Sequence, residues 1–156
     1  MSKYKERLYW HIRKIVISHD DADDVLQNTF IKVYRNIGNF KGDSKLYSWM
    51  YRIATNEAIT HLNKNAKYAN ITSEEVKQKA IDRLESDVYF EGNEIQIKLQ
   101  KAIATLPEKQ QLVFNMKYFD NLKYKEMSEI LETSEGALKA SYHIAVKKIE
   151  SFLTSG

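Results

Sequence analysis

The chain has 156 residues, 43% of them hydrophobic, which suits one globular domain or two small ones and excludes disorder throughout. With no cysteine it has neither a disulfide scaffold nor thiolate-held zinc or iron–sulfur, a usage that fits a reducing cytoplasm. A net charge of +3 is too small for an independent DNA clamp, because phosphate neutralisation supplies most non-specific affinity. That charge is uneven: residues 1–64 carry eleven Lys/Arg against seven Asp/Glu, residues 65–92 four against six, and residues 93–156 nine against eight. No apolar run approaches the roughly eighteen residues of a membrane span, and MSKYKERLYWHIRK lacks a signal-peptide core, so no membrane insertion is expected. Five glycines and one proline among abundant Lys, Glu, Leu, Ile and Ala predict an all-α fold.

Residues 3–18 read as a first helix, with Leu8, Ile12, Ile15 and Val16 inward and Lys3, Lys5, Arg7, Arg13 and Lys14 outward. Asp20 is the expected N-cap of a second helix to Asn36, and Asp21, Asp23 and Asp24 suit its positive end. Val25, Leu26, Phe30, Val33 and Ile37 face inward there, leaving Asp24, Gln27, Asn28 and Ile31 outward. The loop Gly38-Asn39-Phe40-Lys41-Gly42-Asp43-Ser44 follows, with Ser44 placed to cap the next helix. Loops of this composition are usually ordinary connections; a turn with Lys41 and free backbone N–H groups could also hold a phosphate or a flipped base.

Lys45–Leu62 reads as the third helix. Leu46, Met50, Ala54, Ala58 and Leu62 form its apolar stripe, with Trp49 and Ile53 beside it. Opposite lies a polar row, Lys45, Ser48, Arg52 and Asn56, flanked by Tyr47 and Tyr51. Rings beside a guanidinium and an amide suit unpaired bases. On spacing alone the simpler reading is two half-buried core rings with wet hydroxyls.

Between Asn65 and Gly92 the periodicity weakens and the charge turns acidic, which predicts a flexible linker with at most a short helix from Thr72-x-x-Glu75 through Val76, Ala80 and Leu84. Helix resumes over 93–104, with Ile95, Leu99, Ala102 and Ile103 on one side. Pro107 is placed for the first helical position of a helix through Val113, Phe114 and Tyr118, and Asn121 suits a left-handed helix end. Tyr124–Leu131 is a short helix, Glu132-Thr133 a tight connection, and Ser134 the N-cap of a last helix to Leu153. Leu138, Tyr142, Ala145, Ile149 and Phe152 form its inner stripe, and Glu135, Lys139, Ala140, His143 and Lys147 its outer row. A short helix, a tight turn and a longer helix make a helix-turn-helix candidate.

Phe40-Lys41-Gly42-Asp43-Ser44, Trp49 to Ala54 and Asn56 resemble region 2 of bacterial sigma factors, with Asp21 to Phe30 fitting the preceding helix. Leu106-Pro107-Glu108-Lys109-Gln110-Gln111, Tyr118-Phe119, Ile130-Leu131, Gly136 and Lys139 resemble region 4. In order and over nearly the whole chain, the resemblance is to the extracytoplasmic-function (ECF) group of the sigma-70 family. It implies two small helical domains, 1–64 and 93–156, joined by the 65–92 linker. It further implies an initiation subunit whose partners are promoter DNA, core RNA polymerase (β′ clamp helices and β flap) and an anti-sigma factor. Carried over by residue, Asp24, Gln27, Asn28 and Ile31 face the polymerase. Phe40, Lys41, Asp43, Tyr47, Tyr51, Arg52 and Asn56 meet the −10 strand, and Ser134, Glu135, Lys139, His143 and Lys147 the −35 duplex. Four positions depart from the family pattern: Asn28 stands where Glu is frequent, Glu132 where a turn glycine is usual, and Ser141 and Ile144 where Arg is frequent. Members also usually have a helical segment before the first helix, so some N-terminal packing is expected to be missing or rearranged.

No phosphate-binding, dinucleotide or HExxH motif is present, and His11, His19, His61 and His143 lie on separate segments without ligand spacing. An enzyme is not expected, nor any cofactor or metal. Two other classes compete: a stand-alone helix-turn-helix repressor, which needs tight duplex binding by the last domain, and a helical adaptor, which leaves the Tyr47, Tyr51 and Arg52 row without a role.

Overall fold

The computed structural model describes residues 2–40, 42, 46–83 and 94–155. Among these are eight α-helices and no strand: α1 (Ser2–Val16), α2 (His19–Asn36), α3 (Leu46–Ala69), α4 (Ser73–Asp82), α5 (Glu94–Ala104), α6 (Glu108–Tyr118), α7 (Tyr124–Leu131) and α8 (Glu135–Thr154). Ser44, assigned by the sequence to a helix cap, Lys45, to the polar row, and Leu84, to an apolar stripe, lie outside the described residues, as do Lys41 and Asp43.

The first three helices form a bundle around Leu8, Ile12, Val25, Met50, Ala54 and Ala58. Its inner stripes agree with the periodicity of the sequence, with exceptions. Arg13 points inward and is buried; its Nε donates to the Ile17 carbonyl at 2.6 Å and its Nη1 to the Tyr9 hydroxyl at 3.0 Å. Ile17 needs that support, since its φ of 70° is costly for a β-branched residue. The left-handed break ends α1 early, so α2 starts at His19 and Ser18, not Asp20, is its cap, with Oγ accepting from the Asp21 N–H at 3.5 Å. Ile37 falls in a 3-10 turn after α2 and is exposed.

α3 is longer than its stripe predicts, running seven residues beyond Leu62 with Ala66 still buried. Half of the acidic stretch after it is packed helix. Thr72 caps α4, its Oγ1 accepting from the Glu75 N–H at 3.1 Å. Ile81 is buried against Ile17. Lys77 is buried as well and donates to the Gln111 side chain, which itself donates to the Leu106 carbonyl at 2.8 Å. α4 thus bridges α3 to the last four helices.

In that last unit Pro107 sits at the cap of α6, one position before the predicted one, within the ordinary scatter of helix ends. Asn121 is left-handed as expected, at φ 53°. Ile95 is 75% exposed, outside the stripe assigned to it, because the α5 core begins only at Leu99. Leu138, Ala145 and Ile149 are buried as predicted, with Tyr142 and Phe152 packed at the edge of the core.

The two bundles do not stand apart. Leu112, Val113, Met116, Leu122, Met127 and Ile130 join one continuous apolar cluster with the α1–α3 core, through α1 against α6 and α3 against α7.

Two consequences are measurable. Urea should unfold the chain in one transition, and Met116→Ala should cost about 2–5 kcal/mol across that whole transition, although Met116 belongs to the second unit. Lys77 gives a pH signature: burial lowers its ammonium to about 8, with Glu108 and Glu74 opposing the shift. Between about 8 and the unfolded value of 10.5 the unfolded chain binds more protons, so stability should rise with pH there, by at most about 3 kcal/mol. Tyr51 opposes this above its ordinary value of 10.0, because burial first, and then Asp120, raise its hydroxyl. The difference between the parent and Lys77→Met in urea titrations at pH 7.5 and 9.5 isolates the lysine contribution, and the rise should be absent from the variant.

Candidate nucleic-acid interface

The helix-turn-helix is local chemistry first. The α7 start is closed by Glu126, whose Oε1 accepts from the Lys123 N–H at 3.0 Å. The turn then requires a left-handed residue, and Glu132 supplies it at φ 52°, ψ 44°. The turn thereby keeps the shape that glycine makes easy, at a cost of about 1 kcal/mol for a residue with a Cβ. Ser134 caps α8, its Oγ accepting from the Ala137 N–H at 3.2 Å. Leu138 and Ala145 lock α8 onto the core, so Ser134, Glu135, Lys139, His143 and Lys147 all lie exposed on its outer side. Lys139 Nζ sits 5.7 Å from the Tyr124 ring centre, which braces it near the start of the helix.

On α2, Asp24, Gln27, Asn28 and Ile31 are exposed together, as the sequence implies. A shallow groove of 740 Å³ runs beside them, lined by Leu26, Gln27, Phe30, Ile31 and Tyr34. His61 Nε2 lies 3.0 Å from Asp21 Oδ1 at the head of this helix. That contact raises the imidazole above its ordinary value despite partial burial.

The third set is divided. Phe40 is half-buried, 5.3 Å from the Trp49 ring, and Tyr47 is half-buried with the Arg7 guanidinium 5.0 Å from its centre. Tyr51, which the resemblance assigns to the −10 strand and spacing alone reads as a half-buried core ring, is 2% exposed. Its ring packs 4.5 Å from His11 and 6.0 Å from Tyr47, inside the cluster shared by both units. Ser48, from the same polar row, is buried too. The four-residue spacing is right, but α7 packs on α3 and α6 on α1, which closes this side of the helix. Arg52 and Asn56 remain exposed and line a 430 Å³ cleft whose opposite wall is Lys109, Leu131 and Glu132. Across it Arg52 and Glu132 form an ion pair.

Three further residues join the seam. Lys14 Nζ donates to Asp120 Oδ1 at 2.5 Å and lies 5.2 Å from the Phe119 ring. His11 Nε2 is 2.7 Å from the Thr55 hydroxyl, and its Nδ1 is 3.4 Å from Asp120 Oδ2, long for a hydrogen bond. Burial alone would raise the Asp120 carboxyl, but His11 and Lys14 outweigh it and hold the group below its ordinary value. Periodicity marks Lys14 as outward and says nothing of Asp120, whose partner stands 106 residues away. Among the described residues no cluster of His, Asp or Glu could hold a metal ion, and no helix is long and apolar enough to cross a membrane.

Comparison with known proteins follows the same division. Residues 1–68 match sigma-70 region 2 and residues 96–149 match sigma-70 region 4. The chain is 30% identical to the RNA polymerase sigma-H factor of Pseudomonas aeruginosa, over 97% of this chain and 82% of that protein. It is 29% identical to the ECF RNA polymerase sigma factor SigW of Bacillus subtilis, over 90% and 79%. Two solved structures share the fold at a TM-score of 0.73. One is the sigma factor RpoE in complex with the anti-sigma factor NepR from Bartonella quintana, at 17% identity over 96% of this chain and 91% of that one. The other is CnrH in complex with the cytosolic domain of CnrY, at 19% identity over 99% and 84%. With region 2 and region 4 matched in order and a 30%-identical relative aligned along 97% of this chain, the chain belongs to the sigma-70 family, in its ECF group.

Proposed function

We propose that the protein is an RNA polymerase sigma factor of the ECF type, which binds core polymerase and directs promoter-specific initiation without catalytic chemistry of its own. The observation that carries this reading is the pairing of two regions in family order: a three-helix unit with an exposed polar and apolar α2 face, and a helix-turn-helix whose α8 presents Lys139, His143 and Lys147. The α2 face, Asp24, Gln27, Asn28 and Ile31, docks on the β′ clamp helices, with Ile31 and the neighbouring groove supplying apolar area and Asp24 the charge. The β flap receives the region 4 unit. Because both units are held by the enzyme, the net charge of +3 suffices.

In region 4, Ser134 and Glu135 lie at the α8 N-terminus, where backbone N–H groups meet phosphate, and Lys139, His143 and Lys147 follow along the −35 major groove. In region 2, Phe40, Lys41, Asp43 and Asn56 hold an extruded base of the −10 element, while Tyr47, Tyr51 and Arg52 provide rings and a guanidinium for the unpaired strand. Tyr51 is buried, so this last role requires a rearrangement. An anti-sigma factor is the expected regulator: the sigma factor RpoE of Bartonella quintana, which shares this fold, is in complex with the anti-sigma factor NepR. Action on polymerase places the protein in the cytoplasm.

The free protein should bind duplex DNA weakly and lose it steeply with salt, while promoter-specific binding appears on addition of core polymerase, as fluorescence anisotropy at 50 and 200 mM salt would measure. Tight, sequence-specific binding by the protein alone would favour a repressor instead. The two regions should also fail differently. Asn56→Ala should slow strand opening on duplex promoters roughly tenfold, about 1.4 kcal/mol, and leave core binding intact. Lys139→Ala and His143→Ala should weaken −35 recognition but spare opening of a pre-melted template. Permanganate footprinting on both templates separates these outcomes, and equal defects for the two sets would reject the division of labour.

A further inference from the structure

The outer side of α8 is less basic than its lysines imply. Leu138, Ala145 and Ile149 mark the side that faces the core. At about 3.6 residues per turn, the direction opposite them falls to Gly136, Ala140 and Lys147, with His143 on one flank and Ile144 on the other. All five are exposed. Ile144 is 45% exposed and belongs to neither core cluster that α8 joins, although Ala145 beside it is wholly buried. Gly136 has no use inside the chain either. Its φ is not left-handed and a Cβ there would meet no atom within 4 Å, yet glycine weakens a helix relative to alanine. Gly136 and Ala140 together keep the first turns slim, so the helix backbone can come close to an external surface. Ile144 then offers that surface a branched alkyl group with neither donor nor acceptor.

Charge indicates the kind of surface. Lys139 and Lys147 stand beside this apolar strip, and Lys148 behind it is tied to Gln110 at 3.2 Å. A strip of small and branched alkyl groups with a cationic rim fits the major groove of duplex DNA, which has phosphates along its edges and thymine 5-methyl groups on its floor. We propose that Ala140 and Ile144 read thymine in the −35 element through its 5-methyl group, at two positions set by their spacing, while Lys139, His143 and Lys147 hold the adjacent phosphates and polar edges. The inference rests on the sigma-factor reading and names the class of sequence that α8 accepts. Selection follows from what each base displays. Cytosine presents an amino donor, guanine two acceptors and adenine one of each, and an alkyl group pressed on any of these leaves a polar atom unpaired. Thymine alone offers an apolar group there. Four residues separate Ala140 from Ile144, ~6 Å along the helix, which corresponds to about two base-pair steps of ~3.4 Å.

Holoenzyme reconstituted from the full chain and core polymerase can select binders from a duplex library randomised over both promoter elements. The upstream element should be enriched in thymine at two positions about two steps apart. Deoxyuridine, which lacks only the 5-methyl group, should then weaken holoenzyme binding about fourfold at either position. In Ile144→Ala that penalty should largely vanish at one position and persist at the other. Ile144→Arg should turn the same position to guanine, the base whose two acceptors a guanidinium matches, and leave the downstream element unchanged. An upstream element without thymine, or equal affinity of the parent for thymine and deoxyuridine, would overturn the inference and leave the sigma-factor reading in place. Ile144→Ala as sensitive as the parent at both positions would overturn the role of Ile144. A chain that binds no core polymerase would refute the sigma-factor reading itself, and the inference with it.

Discussion

The apolar seam between α6–α7 and the α1–α3 bundle is the constraint on which the remaining structure depends. Each unit buries a face that its own helices leave uncovered, and the result is one cluster running from Leu8 through Met50 and Met116 to Leu138. At about 0.8 kcal/mol for each buried methylene, such a seam outweighs any of the polar contacts across it. It also decides the condition of those contacts. Lys14 and Asp120 become a partly buried pair because the seam limits water around them, so loss of Lys14 would leave only His11 to offset the enclosed Asp120 carboxylate.

The same packing makes a single chain present two open faces and one closed one. α2 lies on the far side of the bundle from the seam, and α8 turns its basic row away from it, so both keep their functional residues in solvent. α3 has no such freedom. Its apolar stripe packs on α1 and α2, and part of its polar side packs on α7, so a helix amphipathic on paper is enclosed on both sides along much of its length. Arg52 and Asn56 escape burial only because a cleft remains between α3 and α6–α7. α4 holds that geometry from outside, with the Lys77 ammonium buried, its proton made easier to lose by that burial, and compensated by the Gln111 side-chain oxygen.

What the sequence determined by itself is the part governed by short-range physics. Helix positions follow from contacts three and four residues apart, and caps such as Thr72 and Ser134 act on N–H groups within one turn, so both are legible along the chain. The left-handed residue at Asn121 and the short helix over Tyr124–Leu131 are of the same kind. The order of region 2 and region 4 motifs, and hence the family, was legible for that reason too. Tertiary structure alone decided the rest. Arg13 faces inward because a carbonyl at Ile17 awaits it, Tyr51 is enclosed because α6 and α7 pack across α1 and α3, and Asp120 finds Lys14 across 106 residues. Glu132 reads in sequence only as a missing glycine, and its pairing with Arg52 exists because two units fold against one another. Contacts at such separations leave no period in the chain, since what fixes them is the shape of two complementary surfaces and not the repeat of either helix.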